Sequence, residues 1–314
     1  MKEIKLAMLG MVDGNGHPYS WSAIFNGYNK DLMEDCGYPV IPRYLEKQPP
    51  ETFGIKGAKV THIWCDDPED AKKVAKASLI PNILEKPEDA IGQVDAVIIA
   101  TDKGWEHVWR TEPFVKAGLP IFVDKPLADN VDDLKVFINW VKSGARIMSS
   151  SSLRFMKEYE PYFKSTYELG NLRYINMCMN KTWERYGIHA MEPVYRLTGP
   201  GYISVQNTGG INNNIIHLTH SRGIDINIAS IYDIAGSPIK IVGDKDSVTI
   251  PVKDSFYAFK KQLEYFIEYV ETDSRPYPFE ETIELMTIII AGIRSREQDG
   301  KKILLEDIRK ELGI

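Results

Sequence analysis

IKLAMLGMVDGNGHPYSW, residues 4–21, decides how the first half of the chain is read. Its apolar opening fits a buried strand, Gly10, Gly14 and Gly16 interrupt it, and Pro18 suits the first turn of a helix. Strand, glycine turn and helix in that order open a doubly wound α/β domain, where backbone N–H groups at the helix start can approach a phosphate. The spacing is G-x-x-x-G-x-G, not G-x-G-x-x-G. By itself it reads first as a plain glycine turn and second as a phosphate cradle. His17 either caps that helix or helps hold a phosphate or substrate there.

Outward from this stretch, strand-like runs recur at 59–65, 94–100, 119–123 and 145–150, with amphipathic helical runs between several of them. Near-continuous apolar strands separated by helices predict a parallel sheet covered on both faces, in a domain spanning 1–150. The second domain, 151–314, reads as α+β. A helix near 156–169 is followed by strands at 172–181, 202–209, 212–219, 224–232, 239–243 and 247–252. The strand-after-strand order predicts a largely antiparallel, open-faced sheet, with helices at 256–271 and 280–298 closing one face.

Composition limits the rest. The 314 residues carry a formal net charge of -6, with 43% hydrophobic and 26% charged residues; the pI near 5.6 and scattered basic residues argue against nucleic-acid binding. Cys36, Cys65 and Cys178 are too dispersed for a zinc motif or a disulfide framework, so no metal site and a reducing, cytoplasmic setting are expected. The sequence opens in a strand with no charged leader, and no run reaches the ~20 apolar residues of a membrane helix. The expectation is a protein neither exported nor inserted. His217 and His220 are three apart on a probable strand and point to opposite faces, which argues against a shared metal.

Strand ends carry the candidate chemistry. WCDDPEDAKKVA, 64–75, places Asp66 where a carboxylate hydrogen-bonds an adenosine ribose, while Asp66 or Asp67 could equally cap the following helix. The aromatic- and Pro-rich segment 28–57 reads as an insertion between the first helix and this strand, serving as a lid or a subunit contact. PIFVDKPLADN, 120–130, ends a strand with Asp124, Lys125 and Pro126 in a row, a construction that aims the lysine at something.

Together, the strand running into ATDKGWEHVW (100–109), the acidic-Lys-Pro triplet, the G-I-H of NKTWERYGIHAMEPVYRLTG (180–199) and the closing helix with AGIRSRE (291–297) resemble the Gfo/Idh/MocA oxidoreductases, the glucose-fructose oxidoreductase and inositol dehydrogenase-like family. The resemblance covers nearly the whole chain. It implies a Rossmann-type domain holding NAD, with NADP disfavoured by Asp66. It also implies cofactor contacts from Gly10, Gly14, Gly16, His17, Asp66, Thr101, His107, Asp124, Lys125 and Pro126, and a Lys-Pro bond that is commonly cis. Lys125 would face the reactive carbon beside the nicotinamide, and His189 would be the acid/base at the start of a helix, against the plainer reading of a capping or core histidine. Arg154, Lys181, Trp183, Arg185 and Tyr186 would line the substrate face; Trp105 is either a nicotinamide-side contact or an ordinary loop residue. Two positions depart from the family pattern, Asp124 for Glu and Arg185 for an Asp, and Glu192 stands where relatives often carry Asp.

The implied activity is hydride transfer between the nicotinamide and a hydroxyl or ketone of a sugar, cyclitol or sugar acid. Alternatives are an enzyme that recycles its NAD to support a lyase or glycoside-cleaving step, and a non-catalytic nucleotide or sugar sensor. The open sheet face implies a homodimer or homotetramer.

Overall fold

The computed structural model describes residues 3–314. They form two compact units: the chain up to Asp124 with Asn139–Ser149 and Phe259–Pro276, and Lys125–Ile138 with Ser150–Ala258 and Tyr277–Ile314.

The first unit is built on six strands, β1 (Ile4–Leu9), β2 (Ala58–Trp64), β3 (Asn82–Ile83), β4 (Ala96–Ile99), β5 (Ile121–Val123) and β6 (Ile147–Met148). Their order is β3-β2-β1-β4-β5-β6 and every pair is parallel. The order reverses between β1 and β4, the point beyond which open α/β sheets bind ligands. Leu6 to Leu9 and Ala96 to Ile99 are buried without alternation, as a doubly covered sheet requires. Each large side chain removed from water there is worth about 1.5–3 kcal/mol. The unit's helices are α1 (His17–Asn26), α2 (Lys30–Glu34), α3 (Val40–Leu45), α4 (Pro68–Ala77) and α5 (His107–Lys116), while the unit boundary runs through α6 (Val131–Lys142).

In the second unit, α7 (Glu160–Lys164) precedes β7 (Leu172–Asn180), and α8 (Trp183–Thr198) leads to β8 (Tyr202–Asn207), β9 (Asn213–His220), β10 (Asp225–Ile231), β11 (Ile239–Gly243) and β12 (Ser247–Ile250). Helix α9 (Ser255–Thr272) crosses the unit boundary, and α10 (Phe279–Glu297), β13 (Ile303–Leu304) and α11 (Leu305–Leu312) end the chain. The sheet runs β12-β11-β7-β10-β9-β8-β13. Its pairs are antiparallel except β7 with β10, which is parallel because α8 carries the chain back across the sheet. On β9 and β10, Ile216, Leu218, Ile226 and Ile228 point into the core while Ile215 and Asp225 are exposed.

Two expectations are corrected. The predicted helix over 156–169 is a short 3-10 turn, Ser152–Phe155, followed by the five-residue α7. Of the closing helices only α10 covers the second sheet, with Asn207 Nδ2 donating to Gly292 O at 3.2 Å. Most of α9 belongs to the first unit, where Phe266 packs on Phe122 of β5 at 5.6 Å between ring centroids. The second cover is α8, an amphipathic helix whose start the sequence places at His189 and which begins at Trp183.

Candidate active site

In the first unit, the β1 turn closes around a carboxylate. Gly10 and Gly14 adopt φ of 86° and 77°, a region L side chains avoid, and a Cβ on Gly10 would lie 2.7 Å from Thr101 Cγ2. Asn15 is buried; its Nδ2 donates to Ala100 O at 3.2 Å and to Asp124 Oδ2 at 3.0 Å. His17 Nδ1 lies 2.6 Å from the same Asp124 oxygen, and its ring stacks on Trp21 at 4.2 Å. Its position is thus beside the buried carboxylate that precedes Lys125. Thr101 Oγ1 is buried with no hydrogen-bond partner, and His107 Nε2 meets Thr101 O at 2.7 Å, fixing the loop after β4. A turn that admits no Cβ, beside an orphaned buried hydroxyl, fits a phosphate-bearing cofactor.

Asp66, just past β2, is exposed and also engaged: Oδ2 accepts from Met11 N at 3.4 Å, and Oδ1 pairs with Arg110 Nη2 at 2.8 Å. Asp67 Oδ1 accepts from Glu69 N at 2.9 Å and caps α4. Asp67 is therefore the cap that the sequence leaves open, and Asp66 is held by Met11 and Arg110. The neighbouring Cys65 thiol is driven far up in pKa by burial and is no nucleophile.

The 28–57 segment folds onto this unit. Gly54 N donates to Ile24 O at 2.8 Å, and Met33, Ile41 and Leu45 are buried. A Cβ on Gly16 would meet Ile41 Cδ1 at 2.6 Å and Tyr38 Cγ at 2.8 Å, so the insertion braces the start of α1. This packing replaces the expected lid.

In the second unit, the Lys125–Pro126 peptide is cis. Lys125 Nζ donates to Arg185 O at 3.3 Å and lies 4.6 Å from the centre of the Tyr186 ring. Lys181, at φ 60°, reaches the same residue, donating to Tyr186 Oη at 2.7 Å. Tyr186 and His189, three apart on α8, meet edge to face at 4.8 Å. His189 Nδ1 lies 2.6 Å from Ser151 Oγ. Lys125, Lys181, Tyr186, His189 and Ser151 thus form one cluster of proton-carrying groups, with Arg185 joining through its carbonyl.

Other expected site residues go elsewhere. His189 is not at a helix start: α8 begins at Trp183, and Gly187–Ile188 are helical because Gly187 leaves room for the Trp183 ring. Trp183 is fully buried between Gly187 and Gly292, its Nε1 donating to Ile289 O at 2.9 Å, which makes it a packing residue and not a substrate contact. Arg154 is buried as well, paired with Glu192 at 2.7 Å and with Glu281, and stacked on Tyr277 at 3.9 Å. Burial pushes the Glu192 carboxyl up in pKa and Arg154 draws it back down. Trp105 is exposed in the loop before α5. Ser151, Asn15 and Arg110 escape sequence reading because their partners lie 38, 109 and 44 residues away. The Tyr186–His189 pair depends on α8 beginning at Trp183, before the start expected from the sequence.

Among the described residues, no group of His, Cys, Asp and Glu is placed to hold a metal ion, and no helix is long and apolar enough to cross a membrane.

Residues 36–151 match the family model described as the Gfo/Idh/MocA oxidoreductase family, NAD-binding Rossmann fold. No curated protein matches the sequence. Among solved structures, myo-inositol 2-dehydrogenase from Lactobacillus plantarum aligns at 14% identity and TM-score 0.75, covering 96% of this chain and 99% of that one. Scyllo-inositol dehydrogenase from Lactobacillus casei with bound NAD(H) and scyllo-inositol aligns at 12% identity and TM-score 0.74, over 97% and 100% of the two chains. Myo-inositol dehydrogenase from Lactobacillus casei, in complex with NAD(H) and myo-inositol, gives 15% identity, TM-score 0.74 and 96% of each chain. These likenesses establish a shared fold over nearly the full length. The likeness to the Gfo/Idh/MocA oxidoreductases is thus carried by residues 36–151 in sequence and by nearly the whole chain in fold.

Proposed function

We propose that the protein is an NAD-dependent dehydrogenase that interconverts a secondary alcohol and a ketone on a sugar-, cyclitol- or sugar-acid-like substrate. The observation that carries the reading is the gathering of Lys125, Lys181 and His189 around the Tyr186 ring, with Lys125 next in sequence to the buried Asp124 that the glycine turn's Asn15 bonds. The Gly10 turn and Asp66 would hold the dinucleotide, whose nicotinamide supplies the hydride acceptor when bound. His189 takes the hydroxyl proton on oxidation and returns it on reduction, its ring held through Nδ1 by Ser151. Lys125 orients the reacting oxygen and, as a cation, favours its developing negative charge. Lys181 and Tyr186 supply donors and an apolar face suited to a polyhydroxylated ring.

The test is NADH formation when the protein and NAD⁺ meet a panel of cyclitols, hexoses and sugar acids. Net NADH is expected with at least one of them, and a cofactor recycled within each turnover would give none. Removing an acid/base group costs about 10²–10⁴-fold in rate, so His189→Ala and Lys125→Ala should each drop kcat by that order while NADH still binds. Unchanged kcat in both variants sinks the proposal.

A second copy of the chain is the proposed partner, seated on the open face of the second unit's sheet, where Ile203 and Ile215 are exposed. Light scattering that shows a monomer at micromolar concentration would remove this part.

A further inference from the structure

The most heavily paired charge near the β1 turn is one for which the dehydrogenase chemistry has no use. Arg110 projects from α5 with only 7% of its side chain exposed. Its Nε and Nη2 both meet Glu106 Oε2, at 3.0 and 2.9 Å, and Nη2 also meets Asp66 Oδ1 at 2.8 Å. Its guanidinium carbon lies 4.4 Å from the centre of the Trp109 ring, and Lys103 stands 3.5 Å from the far oxygen of Glu106. The remaining nitrogen, Nη1, has no hydrogen-bond partner among the described residues, and a Cβ on Gly10 would sit 3.2 Å from it. A side chain at Gly10 would crowd the guanidinium.

This changes what Asp66 means. A lone carboxylate at the end of the second strand hydrogen-bonds the ribose hydroxyls and repels a 2′-phosphate, whereas a nearby arginine accommodates that phosphate. Here the carboxylate is already bonded to the arginine, and two cations, Arg110 and Lys103, balance two carboxylates, Asp66 and Glu106. The local charge is cancelled, and a guanidinium edge with two N–H donors remains beside the turn.

We infer that Arg110 is a specificity-determining residue of the cofactor site: it cancels the exclusion of a 2′-phosphate by Asp66 and offers Nη1 to phosphate oxygens, so that NADP(H) is bound as well as NAD(H). The inference rests on the NAD-binding reading and extends it to a second dinucleotide. It departs from the expectation that Asp66 disfavours NADP.

Calorimetric titration with NADH and NADPH tests it on three proteins: the native chain, Arg110→Met and Asp66→Asn. The native chain is expected to bind the two within about tenfold of each other, a gap of about 1.4 kcal/mol. Arg110→Met should weaken NADPH at least about tenfold more than NADH, the scale of one charge-assisted hydrogen bond. Asp66→Asn, an exposed change, should strengthen NADPH by less than about threefold, because the carboxylate is already neutralised. A native preference for NADH beyond tenfold overturns the inference. So does an equal loss of both dinucleotides in Arg110→Met, which would place the arginine on the shared pyrophosphate. If Arg110→Met does not fold, the Asp66→Asn arm decides, and a larger gain there refutes the neutralisation. Failure of the native protein to bind either dinucleotide refutes the NAD reading itself, a result distinct from NADH binding with NADPH rejected.

Discussion

Two arginines in this molecule are built alike and placed differently. Arg110 in the first unit and Arg154 in the second are each gripped by two carboxylates and stacked on an aromatic ring, Trp109 and Tyr277 respectively. Around Arg154 the side chain of Glu192 is 2% exposed, and the guanidinium serves the packing of α8 and α10 against the 3-10 turn that holds Ser151. Around Arg110 the carboxylate of Asp66 is 40% exposed, and one guanidinium nitrogen is left over. The same motif is scaffold where one acid, Glu192, is sealed from water and a recognition element where an acid, Asp66, lies open to a ligand. Depth and satisfaction of the carboxylates distinguish the two, not residue type.

The comparison is most easily broken at its buried member. Arg154→Met should destabilise the protein by about 3–5 kcal/mol, because it strands Glu192 as an uncompensated buried charge. Denaturant unfolding measures this, and a loss below about 1 kcal/mol would mean that the buried triad is not scaffold. Arg110→Met is expected to cost about 1–2 kcal/mol in the same assay, since Asp66 regains water when its partner leaves. Equal losses at the two sites would erase the distinction.

The smallest effect sharpens the idea that the second unit's core satisfies its polar groups. His220 Nδ1 accepts from Arg222 N at 3.2 Å, so its Nε2 is the nitrogen that donates to Gly199 O at 3.3 Å. Burial holds its pKa below the ordinary 6.5. The unfolded chain therefore binds a proton that the folded one resists, and this contribution to stability is present above pH 6.5 and lost as the pH falls below it. His220→Gln should flatten the stability profile between neutral pH and pH 5, and an unchanged slope would show that the histidine is not neutral in the fold.

How much of this was legible in the sequence follows the range of the interactions. Five strands of the first sheet, the strand ends carrying Asp66 and Lys125, and β7 to β12 follow from runs of adjacent residues, which local pattern reports; the two-residue β3 and β13 are too short to leave such a run. Helix α9 was recognised as a helix but assigned to the wrong sheet, because its period is local and its partner, Phe122, is 144 residues away. Trp183 and Arg154 carried polar groups that suited a substrate, yet Gly187 and Gly292 open space for the indole, and Glu192 and Glu281 neutralise the guanidinium. Nothing in the spacing of those residues announces such pairing. The functional cluster was half visible: Lys125 and His189 come from motifs, and Tyr186 from the same 180–199 stretch as His189. Ser151 needed the fold.

The lone parallel pairing in the second sheet has a kinetic consequence. Strand β10 lies beside β7 with Asp225 opposite Tyr174, so the sheet's centre closes only after about fifty intervening residues are ordered, among them all of α8. Such non-local closure is slow to form, and once formed it ties the enclosed helix to the most protected part of the unit. The amides around His189 should therefore exchange with solvent at the rate of the central strands, through one cooperative opening and not by fraying of α8.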